Sequence, residues 1–335
     1  MNYRHYLYYI LLICLFINEL PAQQLPSYSQ YIMNGFLLNP SLAGRDGYTT
    51  VSMIARQQWM GIKGAPSTYA ATFQTTPLQN SFISKTNKIR KKVSKPSRSG
   101  RVGIGGYLFN DNNGIIKRTG FQADYAYHVP MSSNSSGNKD DLAFGLGMVA
   151  YQHVINLDNL NYNYSDDPYL NNYDKSVFIT DFNFGVSYAT SKFYAGFAMT
   201  NILRGSLVFG NSSDNKSGEL GHYYLTGGAS FPINKEWSIK PSLLFKSSDM
   251  LFKSVQMDLT ARVFYKEDYW AGVSYRTGDA IIALLGLKFD KFYLGYAYDF
   301  TLTDMMNQSI GTMELTLAAK FGESNARRYR WLNSY

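Results

Sequence analysis

Residues 254–265 read Ser254-Val255-Gln256-Met257-Asp258-Leu259-Thr260-Ala261-Arg262-Val263-Phe264-Tyr265. Successive side chains on a strand point to opposite sides. In an extended chain Val255, Met257, Leu259, Ala261, Val263 and Tyr265 therefore share one face, and Gln256, Asp258, Thr260 and Arg262 share the other. One face is apolar and the other polar, the signature of a strand between two unlike environments. The split recurs at 181–188, where Phe182, Phe184, Val186 and Tyr188 oppose Asp181, Asn183, Gly185 and Ser187. It recurs again where Leu294, Tyr296, Tyr298 and Phe300 oppose Gly295, Ala297 and Asp299, and where Met313, Leu315, Leu317, Ala319 and Phe321 oppose Glu314, Thr316, Ala318 and Lys320.

Segments of this kind fall near 48–57, 66–76, 100–110, 118–129, 140–152, 178–190, 191–201, 220–231, 236–247, 253–265, 268–276, 279–289, 291–300 and 310–321, broken by Gly, Asn, Asp, Ser and Pro. They predict about fourteen antiparallel strands. An even number returns both ends to one side, as single-chain bacterial outer-membrane barrels require.

A soluble β-sandwich also alternates, but so many strands would divide into separate domains, and no linker composition is present. A transmembrane barrel turns the pattern inside out, with aromatics toward lipid and polar groups toward the lumen. The composition fits: aromatics are 16% of the chain, with 28 Tyr and 21 Phe, while mean hydropathy is slightly negative. Beyond the N-terminal segment no apolar run is long enough for a helical span. The expected fold is all-β: a transmembrane antiparallel β-barrel preceded by a signal peptide. Trp237 and Trp270, with the many tyrosines, are candidates for interfacial girdles.

The N-terminus reads as a secretory signal. Arg4 and His5 precede an apolar run from Tyr6 to Ile17, and Leu20-Pro21-Ala22 offers a cleavage site before Gln23. The expected division is 1–22 signal peptide, 23–47 lead-in or plug segment, 48–321 barrel and 322–335 basic tail. The only cysteine, Cys14, lies in the leader, so a mature chain has neither disulfides nor thiolate metal sites. Ile13 before it argues against lipidation.

The net charge of +8 survives cleavage, which removes Arg4 and Glu19. Much of it is local: Lys85, Lys88, Arg90, Lys91, Lys92, Lys95, Arg98 and Arg101 lie in a stretch without an acid. With both barrel ends periplasmic, the connections near 152–178, 201–220 and 300–310 face outward, and those near 190, 232–236, 265–268 and 290 face inward. The basic connection 77–99 then falls on the periplasmic side, where it is a candidate contact for partners. Nucleic acid is a poor partner for an exported chain.

Chemistry-bearing motifs are sparse. His128, His153 and His222 lie far apart, with no spacing for a metal site, and strand or rim positions account for them. Gly103–Gly106 and Gly145–Gly147 lack the context of phosphate loops. The 156–174 loop, with Asp166 and Asp167, lacks the ordered spacing of a calcium loop. No catalytic residue, cofactor or metal is expected.

The most distinctive block follows the cleavage site: Tyr28-Ser29-Gln30-Tyr31, Asn34, Asn39-Pro40, Ala43-Gly44, then Arg56-Gln57-Gln58-Trp59, Gly61 and Gly64-Ala65-Pro66-Ser67. It resembles the PorP/SprF family of Bacteroidetes type IX secretion membrane proteins. The likeness continues through Gly103-Ile104-Gly105, Asn110-Asp111, Tyr125-Ala126-Tyr127, Phe144-Gly145-Leu146-Gly147 and Gly295-Tyr296-Ala297-Tyr298-Asp299. Where the family closes on a Ser-His-Glu-Ile-like strand, this chain has Thr312-Met313-Glu314-Leu315.

The resemblance implies a non-enzymatic outer-membrane protein of the secretion and gliding machinery. It further implies association with a periplasmic ring lipoprotein complex, and a role in export or surface retention of adhesins with type B C-terminal domains. The physical reading of the N-terminal block is a segment of turn formers and aromatics that either plugs the barrel or leads into the first strand. Arg56, Gln58, Trp59 and Pro66 are expected to shape the first hairpin. A porin-like channel and an enzyme built on barrel strands stand as alternatives.

Overall fold

In the computed structural model, residues 28–77, 101–133, 139–155, 176–203, 206–208, 216–218, 221–248 and 254–322 are described. The expected signal peptide and the tail beyond residue 322 lie outside them, as do Lys85, Lys88, Arg90, Lys91, Lys92 and Lys95.

Fourteen long strands among the described residues form the wall. They are β1 (Thr49–Gln57), β2 (Ser67–Thr75), β3 (Arg101–Asn113), β4 (Ile116–Ser133), β5 (Lys139–Ile155), β6 (Ser176–Ala189), β7 (Phe193–Thr200), β8 (His222–Ala229), β9 (Trp237–Ser247), β10 (Val255–Tyr265), β11 (Tyr269–Arg276), β12 (Ala280–Phe289), β13 (Phe292–Thr301) and β14 (Thr312–Phe321). Each pairs antiparallel with its neighbour in sequence, and β1 pairs with β14 from Thr49↔Phe321 to Gln57↔Met313, which closes the ring. A cylinder leaves no edge, so every wall amide can bond a neighbour without water. A short pair, Ser206–Val208 with Lys216–Gly218, stands apart from the ring.

The start of β1 and the end of β14 share one rim, called here the terminal rim. Its hairpins at 190–192, 266–268 and 290–291 are short, whereas 302–311 spans the opposite rim. The two sets fall on opposite rims, as the even strand count requires. Asp290 (φ 52°), Lys266 (φ 52°) and Glu267 (φ 60°) adopt left-handed backbone in two terminal-rim hairpins, the conformation that matches a tight turn to the strands' twist.

Burial follows residue parity. Leu108 is 64% exposed, Leu146 59% and Leu285 56%, whereas Thr316 and Arg276 are 0% exposed. On a soluble protein so much exposed apolar surface would drive association. Facing hydrocarbon it is at home, and the polar partners point inward. In β10 Leu259 and Val263 face out while Asp258, Thr260 and Arg262 are buried.

One expectation fails here. Trp237 is 42% exposed, but Trp270 is only 5% exposed and stacks inside against Phe264 with ring centroids 5.8 Å apart. Its neighbour Tyr269, 57% exposed, holds the outward position. Trp270 therefore belongs to the lumen and not to a girdle. The polar ends of β3 and β4 also pair further than the apolar pattern runs, reaching Asn113↔Ile116.

Substituting Leu285 near the middle of β12 by Arg places a charge in lipid and should cost about 2–4 kcal/mol. Reversible urea unfolding from phospholipid vesicles checks it. An unchanged midpoint would place that face away from hydrocarbon.

Candidate functional site

Residues 28–48 carry no alternation, and turn formers punctuate them, so they form no strand. Two short 3-10 turns, Gly35–Leu37 and Pro40–Leu42, fold them into the lumen. Pro40 suits the first turn position because its missing N–H would be unsatisfied there anyway. Asn39 caps that turn: its side-chain oxygen accepts from Ser41 N at 3.0 Å. Its amide nitrogen donates to the carbonyls of Val186 and Phe197, both at 3.2 Å, on the neighbouring strands β6 and β7. Ser41 Oγ donates to Asn39 Oδ1 at 2.7 Å and lies 2.7 Å from Ser187 Oγ.

Toward the rim opposite the terminal one, the segment is held by ionic groups. Glu314 accepts two successive backbone N–H groups, from Ser29 at 2.7 Å and Gln30 at 2.9 Å. Arg56 Nη1 donates to Ser29 Oγ at 2.5 Å and to Glu314 at 3.3 Å, and its Nη2 donates to Asp299 at 3.0 Å. Ser29 Oγ donates in turn to Asp299 at 2.7 Å. Arg276 grips Asp258 through two nitrogens at 2.9–3.1 Å and reaches toward Asp299 at 3.6 Å. Charged groups this deep are tolerated only with such pairing.

At the terminal rim the anchors include backbone contacts and an ion pair. Gly44 donates to Gln74 Oε1 at 3.1 Å and accepts from Thr76 Oγ1 at 2.7 Å. The His128 ring bridges the Ala43 carbonyl at 2.9 Å and Asp141 at 3.0 Å. Arg101 donates to the Arg45 carbonyl at 2.6 Å, and Lys320 pairs with Asp46 at 2.9 Å.

Apolar packing fills the remainder. Met33 meets Phe264, Trp270, Tyr293 and Ala318. Phe36 and Leu37 pack with Ile54 and Ala70, and Tyr31 and Leu38 with Ala198, Tyr224 and Leu244. The wall is thinned where the segment passes closest. A Cβ at Gly145 would overlap the backbone of Pro40 and Ser41, and one at Gly103 would overlap the Ala43 carbonyl. Glycine is required at both for the two backbones to approach.

The distinctive block is thus brought together in part. Tyr28, Ser29, Gln30, Tyr31, Asn34, Asn39, Pro40, Ala43 and Gly44 all belong to the lumenal segment, and Asn34 accepts from Ser52 of β1 at 2.8 Å. Gln58, Trp59, Gly64 and Pro66 form the first hairpin at the far rim: Gln58 N donates to Pro66 O at 2.9 Å, Trp59 has φ 47° and Gly64 φ 75°. Trp59 N also donates to Thr312 Oγ1 at 3.1 Å, tying this hairpin to β14. Arg56 departs from the expectation. It points inward to Ser29, Asp299 and Glu314 and does not shape the hairpin, because its parity on β1 is lumenal.

Sequence reasoning did not select Asp299, Glu314, Gln74 or His128 as partners of the segment. The available signal was charge on the polar face of a strand, which must find an opposite charge. His128 has the carboxylate neighbour of a catalytic base, but its other nitrogen meets the Ala43 carbonyl and not a hydroxyl nucleophile.

Arg56→Ala leaves Asp299 and Glu314 buried with less compensation and should lower stability by about 3–5 kcal/mol, read by thermal unfolding in detergent. A second outcome concerns the plug itself. A Ser41→Cys probe in a chain lacking residues 1–22 should resist maleimide, whereas the same probe combined with Gly145→Leu should react at least tenfold faster. Equal rates would mean the segment is not seated against β5.

The comparisons with known proteins add the family. No protein of curated function matches the chain in sequence. Among solved structures, CdiB from Acinetobacter baumannii is 8% identical at a TM-score of 0.34, covering 82% of this chain and 60% of its own. A triple mutant of the Rhodopseudomonas blastica porin is 8% identical at a TM-score of 0.32, covering 82% of this chain and 99% of its own. Likeness at this level carries no functional information. The family model described as type IX secretion system membrane protein PorP/SprF matches residues 20–319. With that match over most of the chain, and a closed fourteen-stranded wall, the chain belongs to the PorP/SprF family of type IX secretion system membrane proteins.

Proposed function

We propose that this protein is a non-enzymatic outer-membrane component of the type IX secretion and gliding machinery that works as a plugged anchor and not as a pore. In this reading it associates with the periplasmic ring lipoprotein complex and supports export or surface attachment of adhesins carrying type B C-terminal domains. The observation that carries it is the occupied lumen. Around the segment the described lumenal residues line cavities of about 110 Å³ and about 90 Å³, one toward each rim. Such volumes hold a few waters. A barrel filled by its own chain acts through its rims and outer wall, and family membership supplies the machinery to which those surfaces belong.

The proposed division follows: a cleaved leader 1–22, a plug 23–47, the barrel 48–321 and a basic tail 322–335. The plug residues and Arg56 are structural in this scheme. Lys85, Lys88, Arg90, Lys91, Lys92 and Lys95 belong to the connection between β2 and β3, whose two strand ends lie at the terminal rim, and we assign them to periplasmic partner contact on the strength of their charge and of where those ends lie.

Deleting the gene should remove a defined set of adhesins from the cell surface while other outer-membrane proteins remain, as read by surface proteomics. Neutralising the six basic residues should reduce recovery of the ring complex in pull-down several-fold. The rival, a porin-like channel, makes the opposite forecast in planar bilayers. The intact barrel should show no steady conductance, and a chain lacking residues 28–46 should show openings. Steady conductance from the intact barrel would favour the channel.

A further inference from the structure

On the terminal-rim side of the plug, the cavity of about 110 Å³ is lined by four cations, Arg45, Lys240, Arg262 and Lys320, against one carboxylate, Asp46. A second carboxylate, Glu267, comes from the β10–β11 turn. The two acids are engaged: Asp46 with Lys320 at 2.9 Å, and Glu267 with Lys240 at 2.5 Å. Arg262 is different. It is 5% exposed, its Nε is buried without a hydrogen-bond partner, and no carboxylate among the described residues forms an ion pair with it. Its guanidinium carbon lies 5.1 Å from the Phe264 ring centroid, a contact that offsets only part of the lost hydration. Arg262 also stands directly opposite Lys240 in the β9–β10 register, and like charges directly opposite on paired strands repel.

A buried guanidinium left so is costly, whereas an anion in the cavity would meet a ready fork of donors. The hydroxyls of Tyr31 and Ser242, with Tyr31 donating to Ser242 at 3.3 Å, line the same space. The connection 78–100, which joins the wall at this rim, contains no Asp or Glu that could serve as the missing partner.

We propose that this cavity is a binding site for a compact oxyanion, a carboxylate or phosphate group, held by Arg262 and supported by Lys240. Lys320, at the end of β14, places the cavity near the terminal rim, so the anion arrives from that side. Its source is either a small free anion or an acidic side chain of a partner peptide. The site is independent of the secretion role and stands or falls on its own.

The test uses the mature full-length barrel in nanodiscs of zwitterionic lipid, titrated calorimetrically with inorganic phosphate and with a capped Gly-Glu-Gly peptide. Phosphate should bind saturably. Arg262→Gln should weaken it at least tenfold, while Lys117→Gln, on the outer wall, should change it less than twofold. If Arg262→Gln loses the heat-modifiable gel shift of a folded barrel, Arg262→Lys serves in its place, since it keeps the charge and removes the fork. Displacement of phosphate by the peptide assigns the natural source to an acidic side chain, and phosphate binding without displacement assigns it to a free anion. Absence of binding by both probes overturns the proposal, as does equal binding by the Arg262 variant. Binding that requires Glu323→Gln would also overturn it, by making the chain's own tail the occupant.

Discussion

Hydrocarbon offers the peptide backbone no hydrogen-bond partner, and the rest of this architecture answers that constraint. Each strand must give its N–H and C=O groups to two neighbours, so the sheet has to return upon itself, which it does where β1 meets β14. Closure then forces the division of side chains. Leu285, Leu146 and Leu108 are left to lipid, and Asp258, Arg276, Asp299 and Glu314 are turned toward an enclosed space with little water. Polar groups gathered there must satisfy one another, and the N-terminal segment supplies what the wall lacks.

Much of the wall was legible in the chain because its signal is local. The two-residue period places Leu259 outside and Asp258 inside with no knowledge of the neighbouring strand, and the fourteen expected segments match the observed ones to within a few residues. Boundaries failed where the signal changes meaning. Asn110 to Asn113 look like a turn, yet they continue the ladder with β4, and only Gly114 and Ile115 separate the two strands. Trp270 failed because residue type outweighed parity. An indole suggests an interface, but its place next to outward Tyr269 turns it inward onto Phe264.

The lumen was less legible, since its partners are far apart in sequence. Ser29 and Glu314 are separated by 285 positions, and nothing local in either announces the other. What could be read was type alone: a block rich in Tyr, Asn, Pro and Gly that fits no strand, and scattered charges on the polar faces. Arg56 shows the limit. It lies within the distinctive block beside the hairpin residues, so proximity suggested a shared task, whereas strand parity gave it to the plug. Gly103 and Gly145, which read as generic strand glycines, turn out to be fitted to the plug's backbone.

The carboxylate of Glu314 sits on the last strand made, while the amides it receives belong to residues 29 and 30, which precede the first. The segment before the first strand and the last strand of the wall therefore become neighbours only when the hoop shuts. A hoop that shut around nothing would leave Glu314 and Asp299 to Arg56 and Arg276, without the amides and hydroxyl that share their charge. The filled cylinder is therefore the better-compensated state, because two amides and a hydroxyl of the segment share the buried charge of the last two strands.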